Sequence, residues 1–463
     1  MKEIRWKFFG MNLMFGFSYK RLIAAALPLF FIVFWFAAAA RAQSTCEAVP
    51  GQIIVDLVNQ NDRNAVADQY GLERQQIDQV GSPPSLRMRL LASNTQTPCQ
   101  VQSAMQGDAR VAKAEVNRKL SSFERPGLPW TQGLSWAVGL SWAVGGSSKG
   151  YGRQWFPWTI RLKEAHQINR GTRVDNGQPV VVAVLDTGID PDHPAFAGRL
   201  VPGFDFVGDD NDPREEGVLR QDPVYGHGTH VAGIVALTAP EAKIMPIRIL
   251  DRNGEGELWR VTAAIIWAAN HGADVINISF GYNSDARLLK NLLENCDGPQ
   301  AGIQNFPELS NNRLIVVSAA GNGGNNLPIY PAGNRINPQI GVGASTRLDT
   351  LAPFSTLNRE DETRFIRAVA PGENIVSTLP GGRYGLWSGT SMAAPVTAGV
   401  VALMKGRFPT LLPHDIVDQI SLTGIEWRCN HPVRGPIRTN RVDAFCALTG
   451  NTNCGSNPSA CTP

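Results

Sequence analysis

The chain has 463 residues, 43% hydrophobic and 18% charged, with 46 glycines and 31 prolines spread along its length. That is too apolar for a disordered polymer, too aperiodic for a fibre, and enough for about two to four domains. A net charge of +3 leaves no broad basic field for nucleic acid, and seven cysteines without paired Cys-x-x-Cys spacing make neither a disulfide scaffold nor a structural zinc site.

Residues 1–21 carry Lys2, Arg5, Lys7, Lys20 and Arg21, and an apolar run follows from Leu22 to Ala40, broken only by Pro28. Ala40-Arg41-Ala42 then supplies the small-x-small exit of a cleaved signal peptide, so residues 1–42 read as an export signal. The competing reading is a retained membrane anchor, since a run of that length just spans a bilayer. Either way the rest of the chain is expected outside the cytosol, secreted or periplasmic, where disulfides are permitted.

Residues 43–120 read as a small α+β module. Gln52–Val58 is strand-like, Asp62–Tyr70 is a short helix closed by Gly71, and Leu86, Met88 and Leu90 alternate with charged residues as in a half-buried strand. Val101 and Met105 suit a second helix ending at Gly107, and Val111–Val116 is the last strand. The resulting βαββαβ order is a split-βαβ, ferredoxin-like arrangement. Cys46 and Cys99 could pair within it. By pattern alone the module is a ligand-binding or spacer domain. Residues 121–153 contain a direct duplication, Gly133–Val138 repeated as Gly139–Val144. Two copies are too few for a solenoid, so the segment reads as a linker and domain boundary.

From residue 179 apolar β-branched runs alternate with helical patterns. Strands are expected at Val180–Leu185, Ile244–Leu250, Val275–Ser279 and Leu314–Ala319, and helices at His230–Leu237, Leu258–Asn270, Asp285–Glu294 and Ser391–Lys405. This implies an α/β fold, a parallel sheet covered on both faces, with reactive groups at the carboxyl ends of its strands.

Four polar residues stand at such places. Asp186 ends a strand before Thr187-Gly188; by itself it is an ordinary cap or turn residue. His227 lies in Gly226-His227-Gly228-Thr229-His230; no His-Glu-x-x-His pattern supports zinc, and His230 is expected to pack inside the helix. Asn322, in Ala320-Gly321-Asn322-Gly323, could be a turn residue. Ser391, in Ser388-Gly389-Thr390-Ser391-Met392-Ala393, opens a helix, where a serine also serves as a plain cap. Together they form a chemical set. A serine hydroxyl attacks once an imidazole takes its proton, a carboxylate orients that imidazole, and a preorganised amide stabilises the oxyanion.

These four segments resemble those of subtilisin-like serine proteases, whose triad runs in the order Asp, His, Ser. The resemblance covers roughly residues 155–449, within a catalytic domain expected over residues 154–449. It implies a catalytic domain with Asp186 as orienting acid, His227 as general base, Ser391 as nucleophile and Asn322 as oxyanion donor. It also implies that Ser279, Phe280 and Gly281 pair with substrate backbone, and that Ala320, Gly321 and Ile329 line the neighbouring specificity pocket. Ile329 precedes Tyr330-Pro331-Ala332 where many members have a small residue, and so is expected to disfavour large aromatic side chains. The small module then resembles the family's inhibitory propeptide, with self-cleavage somewhere in residues 117–153.

The resemblance implies no cofactor for catalysis but leaves structural calcium open. The loop that wraps the tight calcium ion is missing after Leu237, and Ala195 stands where a ligand aspartate is expected. Asp205, Asp209, Asp210 and Asp212 cluster before His227, as either a second cation loop or a solvated acidic one. After loss of the small module Cys296, Cys429, Cys446, Cys454 and Cys461 remain, an odd number that leaves at least one free thiol or an intermolecular bond. Cys429 with Cys446 and Cys454 with Cys461 are the pairings closest in sequence, which by itself assigns none, and residues 450–463 read as a disulfide-tied tail. The expected partners are protein or peptide substrates and the chain's own propeptide, not nucleic acid, with a membrane only if residues 22–40 stay attached. The competing functional readings are a silent relative that binds peptides in its cleft, and an anchored enzyme with a narrow processing role.

Overall fold

The computed structural model describes residues 46–123, 142–144, 147–218, 221–297, 306, 309, 314–358, 365–431 and 435–460. The signal or anchor segment and the first copy of the duplication lie outside them. Among the described residues no helix is long and apolar enough to cross a membrane.

The small module runs β1 (Ala48–Leu57), α1 (Arg63–Tyr70), β2 (Leu72–Val80), β3 (Ser85–Leu90), α2 (Pro98–Ala104) and β4 (Val111–Ser122). Its antiparallel sheet, ordered β4-β1-β3-β2, gives the βαββαβ order expected, with the last strand carried on to Ser122. Gly71 closes α1 in the left-handed conformation, and Thr97 and Gln100 form a capping box on α2. Ile53, Val55, Val66, Leu86, Met88 and Val101 make its core. Ile54 and Leu120 face the other way, into the core of the larger module.

The larger module is built on a nine-stranded sheet ordered β17-β18-β14-β13-β12-β10-β6-β8-β7. Its strands are β6 (Val181–Asp186), β7 (Phe204–Asp205), β8 (Lys243–Arg248), β10 (Val275–Ile278), β12 (Ile315–Ala319), β13 (Gln339–Ser345), β14 (Ile366–Pro371), β17 (Ile425–His431) and β18 (Gly435–Arg441). All neighbours are parallel except the β17–β18 hairpin. Although β6 reads as one apolar run, Val182 and Val184 face one core while Ala183 and Leu185 face the other. From β6 the chain moves outward to β8, then returns to β10 on the opposite side. The switch point therefore falls between β6 and β10, where a crevice opens at the strands' carboxyl ends.

Helices α6 (His227–Thr238) and α9 (Thr390–Arg407) pack on one face, and α7 (Leu258–Asn270) and α8 (Arg287–Glu294) on the other. His227 is itself the first residue of α6, not a residue before a helix starting at His230. Gly226, at φ 91°, takes the left-handed cap that turns the chain into it. The strands β13, β14, β15 (Ile375–Leu379) and β16 (Arg383–Trp387) were not anticipated. In β13, Ile340 and Val342 face the core shared with α9, while Gly341 and Gly343 interrupt the β-branched run: a Cβ there would lie 2.4 Å from Phe365 O and 3.1 Å from Ser355 Oγ.

Residues 142–144 and 147–153, expected as linker, join the larger module. The chain over residues 142–144 forms β5, pairing with β16. Helix α3 (Ser148–Arg153) follows, and its Tyr151 hydroxyl donates to Gly233 O at 2.6 Å. Near the other end α11 (Ala444–Thr449) stops at left-handed Gly450, and the returning chain brings Cys454 to a Cα separation of 6.4 Å from Cys446. These two are bonded, so the pairings Cys429–Cys446 and Cys454–Cys461 do not form; the helix stop outweighs sequence order. Cys46, Cys99 and Cys429 are also disulfide-bonded, and Cys296 is buried.

The small module docks by satisfying helix starts. The Glu115 carboxylate accepts from the N–H groups of Arg287 and Leu288, at 2.9 and 3.1 Å, and Asn117 Oδ1 accepts from Trp259 N–H at 3.1 Å. These open α8 and α7, whose first-turn donors have no partner inside their own helix. Asp56–Arg287 at 2.8 Å and Arg87–Glu257 at 3.2 Å add ion pairs.

Helices α6 and α9 meet at glycine. A Cβ on Gly399 would lie 2.4 Å from Thr238 Cβ. Gly399→Val is expected to cost about 1–3 kcal/mol by overpacking. A urea titration should show a lower midpoint with an unchanged slope.

Candidate active site

Asp186 is the last residue of β6, and its Oδ1 lies 2.6 Å from His227 Nδ1 at the start of α6. Both side chains are fully buried. Thr187 N–H donates to Asp186 Oδ1 at 2.8 Å, which fixes the carboxylate. Trp387 sets its edge against the imidazole, with centroids 5.1 Å apart and planes at 83°. His230, one helical turn on, is locked by Ile375 O and Gly385 O at 3.1 and 3.2 Å. Burial pushes its pKa down to about 3, so it is a neutral packing residue, as expected from the sequence.

Ser391 is the second residue of α9 and is also wholly buried. Its hydroxyl donates to Ser279 O at 3.1 Å, and Ser279 Oγ returns a bond to Ser391 O at 3.0 Å. Asn277 holds Ser279 Oγ at 2.9 Å. The end of β10 and the start of α9 are thus clasped at the switch point. Asn322 follows β12. Its Oδ1 accepts from Thr390 N–H at 2.9 Å and from the Thr390 hydroxyl at 3.0 Å, so the amide nitrogen is turned to the opposite side. Thr390 Oγ1 also accepts from Gly321 N–H at 3.0 Å. The structure therefore brings Asp186 and His227 into contact, and joins Asn322 and Ser391 through Thr390.

Phe280 and Gly281 form β11, and Tyr282 pairs reciprocally with Tyr330 at 2.9 Å in both directions. That pairing sets Ile329 against the pocket: a Cβ on Gly281 would lie 2.7 Å from Ile329 Cγ2, and one on Gly321 2.8 Å from Ile329 Cγ1. Ala320 is buried behind them, its N–H on Val342 O. The crevice has a second edge, β9 (Glu255–Glu257), and β4 of the small module runs between β9 and β11, antiparallel to both.

The acidic loop is spoken for from within. Asp205 is buried on Arg248, at 2.7 Å, and accepts from Val207 and Gly208 N–H groups, while Arg248 also reaches Glu216 at 2.6 Å. Among the described residues no group of three or more His, Cys, Asp or Glu side chains is arranged to hold a metal ion. The buried carboxylate of the cluster thus already has an internal cation in Arg248.

The model of the subtilase family matches residues 177–436. The chain is 34% identical to thermitase of Thermoactinomyces vulgaris over 291 residues, which cover 59% of this chain and 92% of thermitase. The chain belongs to the subtilase family. It is also 37% identical over 267 residues to a thermophilic serine proteinase of Bacillus sp. (strain AK1), covering 55% of this chain and 58% of that relative's length. The crystal structure of fervidolysin from Fervidobacterium pennivorans, described as a keratinolytic enzyme related to subtilisin, superposes with a TM-score of 0.65 at 25% identity, covering 88% of this chain and 62% of fervidolysin. Subtilases are serine-type endopeptidases, and the parallel sheet with flanking helices is the subtilisin-like fold.

Three features of this subtilase site were missed in the sequence. Trp387 and Thr390 lie beside Ser391 in the chain, but only packing shows what they touch. Glu215, in a stretch with no motif, turns its carboxylate inward, where the Thr187 hydroxyl donates to it and Thr229 N–H and hydroxyl lie 3.1 and 2.7 Å away. Burial raises its pKa above the ordinary glutamate range, and Asp186 pushes the same way.

Thr390→Val removes one donor from the Asn322 carboxamide, a bond worth about 0.5–1.5 kcal/mol. Turnover should fall about two- to tenfold with KM little changed, and Thr390→Ser should restore it. For Glu215, the folded carboxyl holds its proton more tightly than the unfolded one. That supports the fold at acid pH and is lost as pH rises through the raised pKa. Glu215→Gln cannot ionise. Its urea midpoint relative to the parent should therefore improve as pH rises above the ordinary glutamate range.

Proposed function

We propose that the chain is an exported serine endopeptidase, made as a precursor whose small module blocks its own cleft. The observation that carries the catalytic reading is the 2.6 Å contact of buried Asp186 with His227, at a crevice where Ser391 opens the facing helix. In this reading Ser391 Oγ attacks the scissile carbonyl and His227 takes its proton. Asp186 holds the imidazole with the acceptor nitrogen toward the serine and stabilises the cation. The Asn322 amide and the Ser391 N–H receive the oxyanion; losing one such donor costs about 10²–10³ in turnover, a magnitude that itself comes from a subtilisin. The acyl-enzyme then yields to water.

The precursor reading is supported by β4 lying between the two crevice edges, and by Glu115 and Asn117 capping two helices of the larger module. The likeness to fervidolysin, over 88% of the chain, also reaches beyond the residues of the family match. Export is supported by the pattern of residues 1–42 and by disulfide-bonded cysteines in both modules. A fluorophosphonate probe added to the chain after removal of the small module should label the parent and leave Ser391→Ala unlabelled. His227→Ala should label far more slowly. Equal labelling of parent and Ser391→Ala would remove Ser391 from the nucleophile's role, and no labelling of the parent would favour a silent peptide-binding relative.

A further inference from the structure

The strand in the crevice has one register, and it selects one carbonyl. Gly281 stands opposite Ser121 and Phe280 opposite Ser122. One residue back along that edge is Ser279, so the antiparallel run sets Phe123 opposite it. Ser279 O is the atom on which the Ser391 hydroxyl rests, at 3.1 Å. The second edge agrees: Ser122 N–H donates to Gly254 O at 2.9 Å, and Leu120 faces Gly256. A slip of one residue would move the chain by about 3.3 Å and turn every side chain to the other face.

The side chain gives an independent reading. A Cβ on Gly281 would lie 2.7 Å from Phe123 Cζ and 2.7 Å from Ile329 Cγ2. The tip of the ring and the isoleucine methyl thus flank a glycine whose missing side chain leaves the room, and Phe123 packs against the main core of the larger module. The pocket that Ile329 was expected to close to aromatic residues has one lying in it.

We infer that Phe123 supplies the carbonyl at which this chain cuts itself, and that the pocket walled by Gly281 and Ile329 accepts an aromatic side chain on the acyl side of the bond. This rests on the precursor reading above. Ser391 Oγ bonds to the Phe123 carbonyl carbon as His227 takes the hydroxyl proton. The bond to the Glu124 nitrogen breaks, and that nitrogen receives the proton from His227. Water then hydrolyses the ester, leaving a carboxylate on Phe123 and the hydroxyl on Ser391. The released module ends in the strand that fills the cleft, which makes it a product-like inhibitor.

The full-length precursor and its Ser391→Ala variant, followed by intact mass and N-terminal sequencing, test this. The expected result is a new N-terminus at Glu124 in the parent and none in Ser391→Ala. Phe123→Tyr should be processed at the same bond, and Phe123→Asp about tenfold or more slower. A Ser391-dependent cut at another bond overturns the assignment of Phe123 while leaving self-processing intact. A precursor that stays whole, or a Ser391→Ala variant cut as fast as the parent, overturns self-processing and the assignment with it. Once processed, the enzyme should favour Leu-Ser-Ser-Phe over Leu-Ser-Ser-Ala anilides by about tenfold or more in kcat/KM. Equal rates would overturn the aromatic pocket.

Discussion

The site depends on two helices held closer together than ordinary side chains permit. Helix α9 is buried over nearly all of its length and is made largely of Ala, Gly, Val, Ser and Thr. Its Gly399 sits against Thr238 at the end of α6, and Gly233 of α6 sits against Ser377 and Thr378. His227 opens α6 and Ser391 lies at the start of α9, so the helix packing sets where imidazole and hydroxyl stand. The sheet supplies the rest: β6 ends in Asp186, and β10, its parallel neighbour, leads directly into Ser279. Small residues that carry no chemistry therefore decide where the chemistry is.

The small module exploits what such a fold leaves unsatisfied. Two helices present their first N–H groups on the same side as the crevice edges, and both edges present backbone groups without a neighbour in the large sheet. Glu115 and Asn117 meet the first need, and β4 meets the second by completing a sheet with β9 and β11. None of this requires a specific substrate side chain until Phe123, where the pocket begins. Backbone pairing of this kind is how a cleft can hold an extended peptide without reading most of its side chains.

Polar groups near the site are held in place by the chain's own residues. Arg248 occupies Asp205, and the Thr187 and Thr229 hydroxyls occupy Glu215 behind the Asp186–His227 pair. Such buried groups rigidify a site only when their partners are present, which explains why the acidic loop and the stretch around Glu215 carry polar residues without a recognisable motif.

By itself the sequence determined the alternation of strands and helices, the βαββαβ order of the small module, and the residue types Asp186, His227, Asn322 and Ser391. Those are legible because hydrophobic periodicity is local and because triad chemistry demands particular groups flanked by glycine and small residues. Among the strands of residues 339–387, β13 was hidden because glycines alternate with Ile340 and Val342, leaving room for Phe365 O at Gly341 and Ser355 Oγ at Gly343. The bond Cys446–Cys454 depended on where Gly450 turned the chain. Thr390, Trp387 and Glu215 gained their parts only through contacts between distant segments. The register that sets Phe123 opposite Ser279, with its ring against Ile329, is likewise a property of pairing between two modules; no spacing within either sequence encodes it, because a strand's partner is chosen in space.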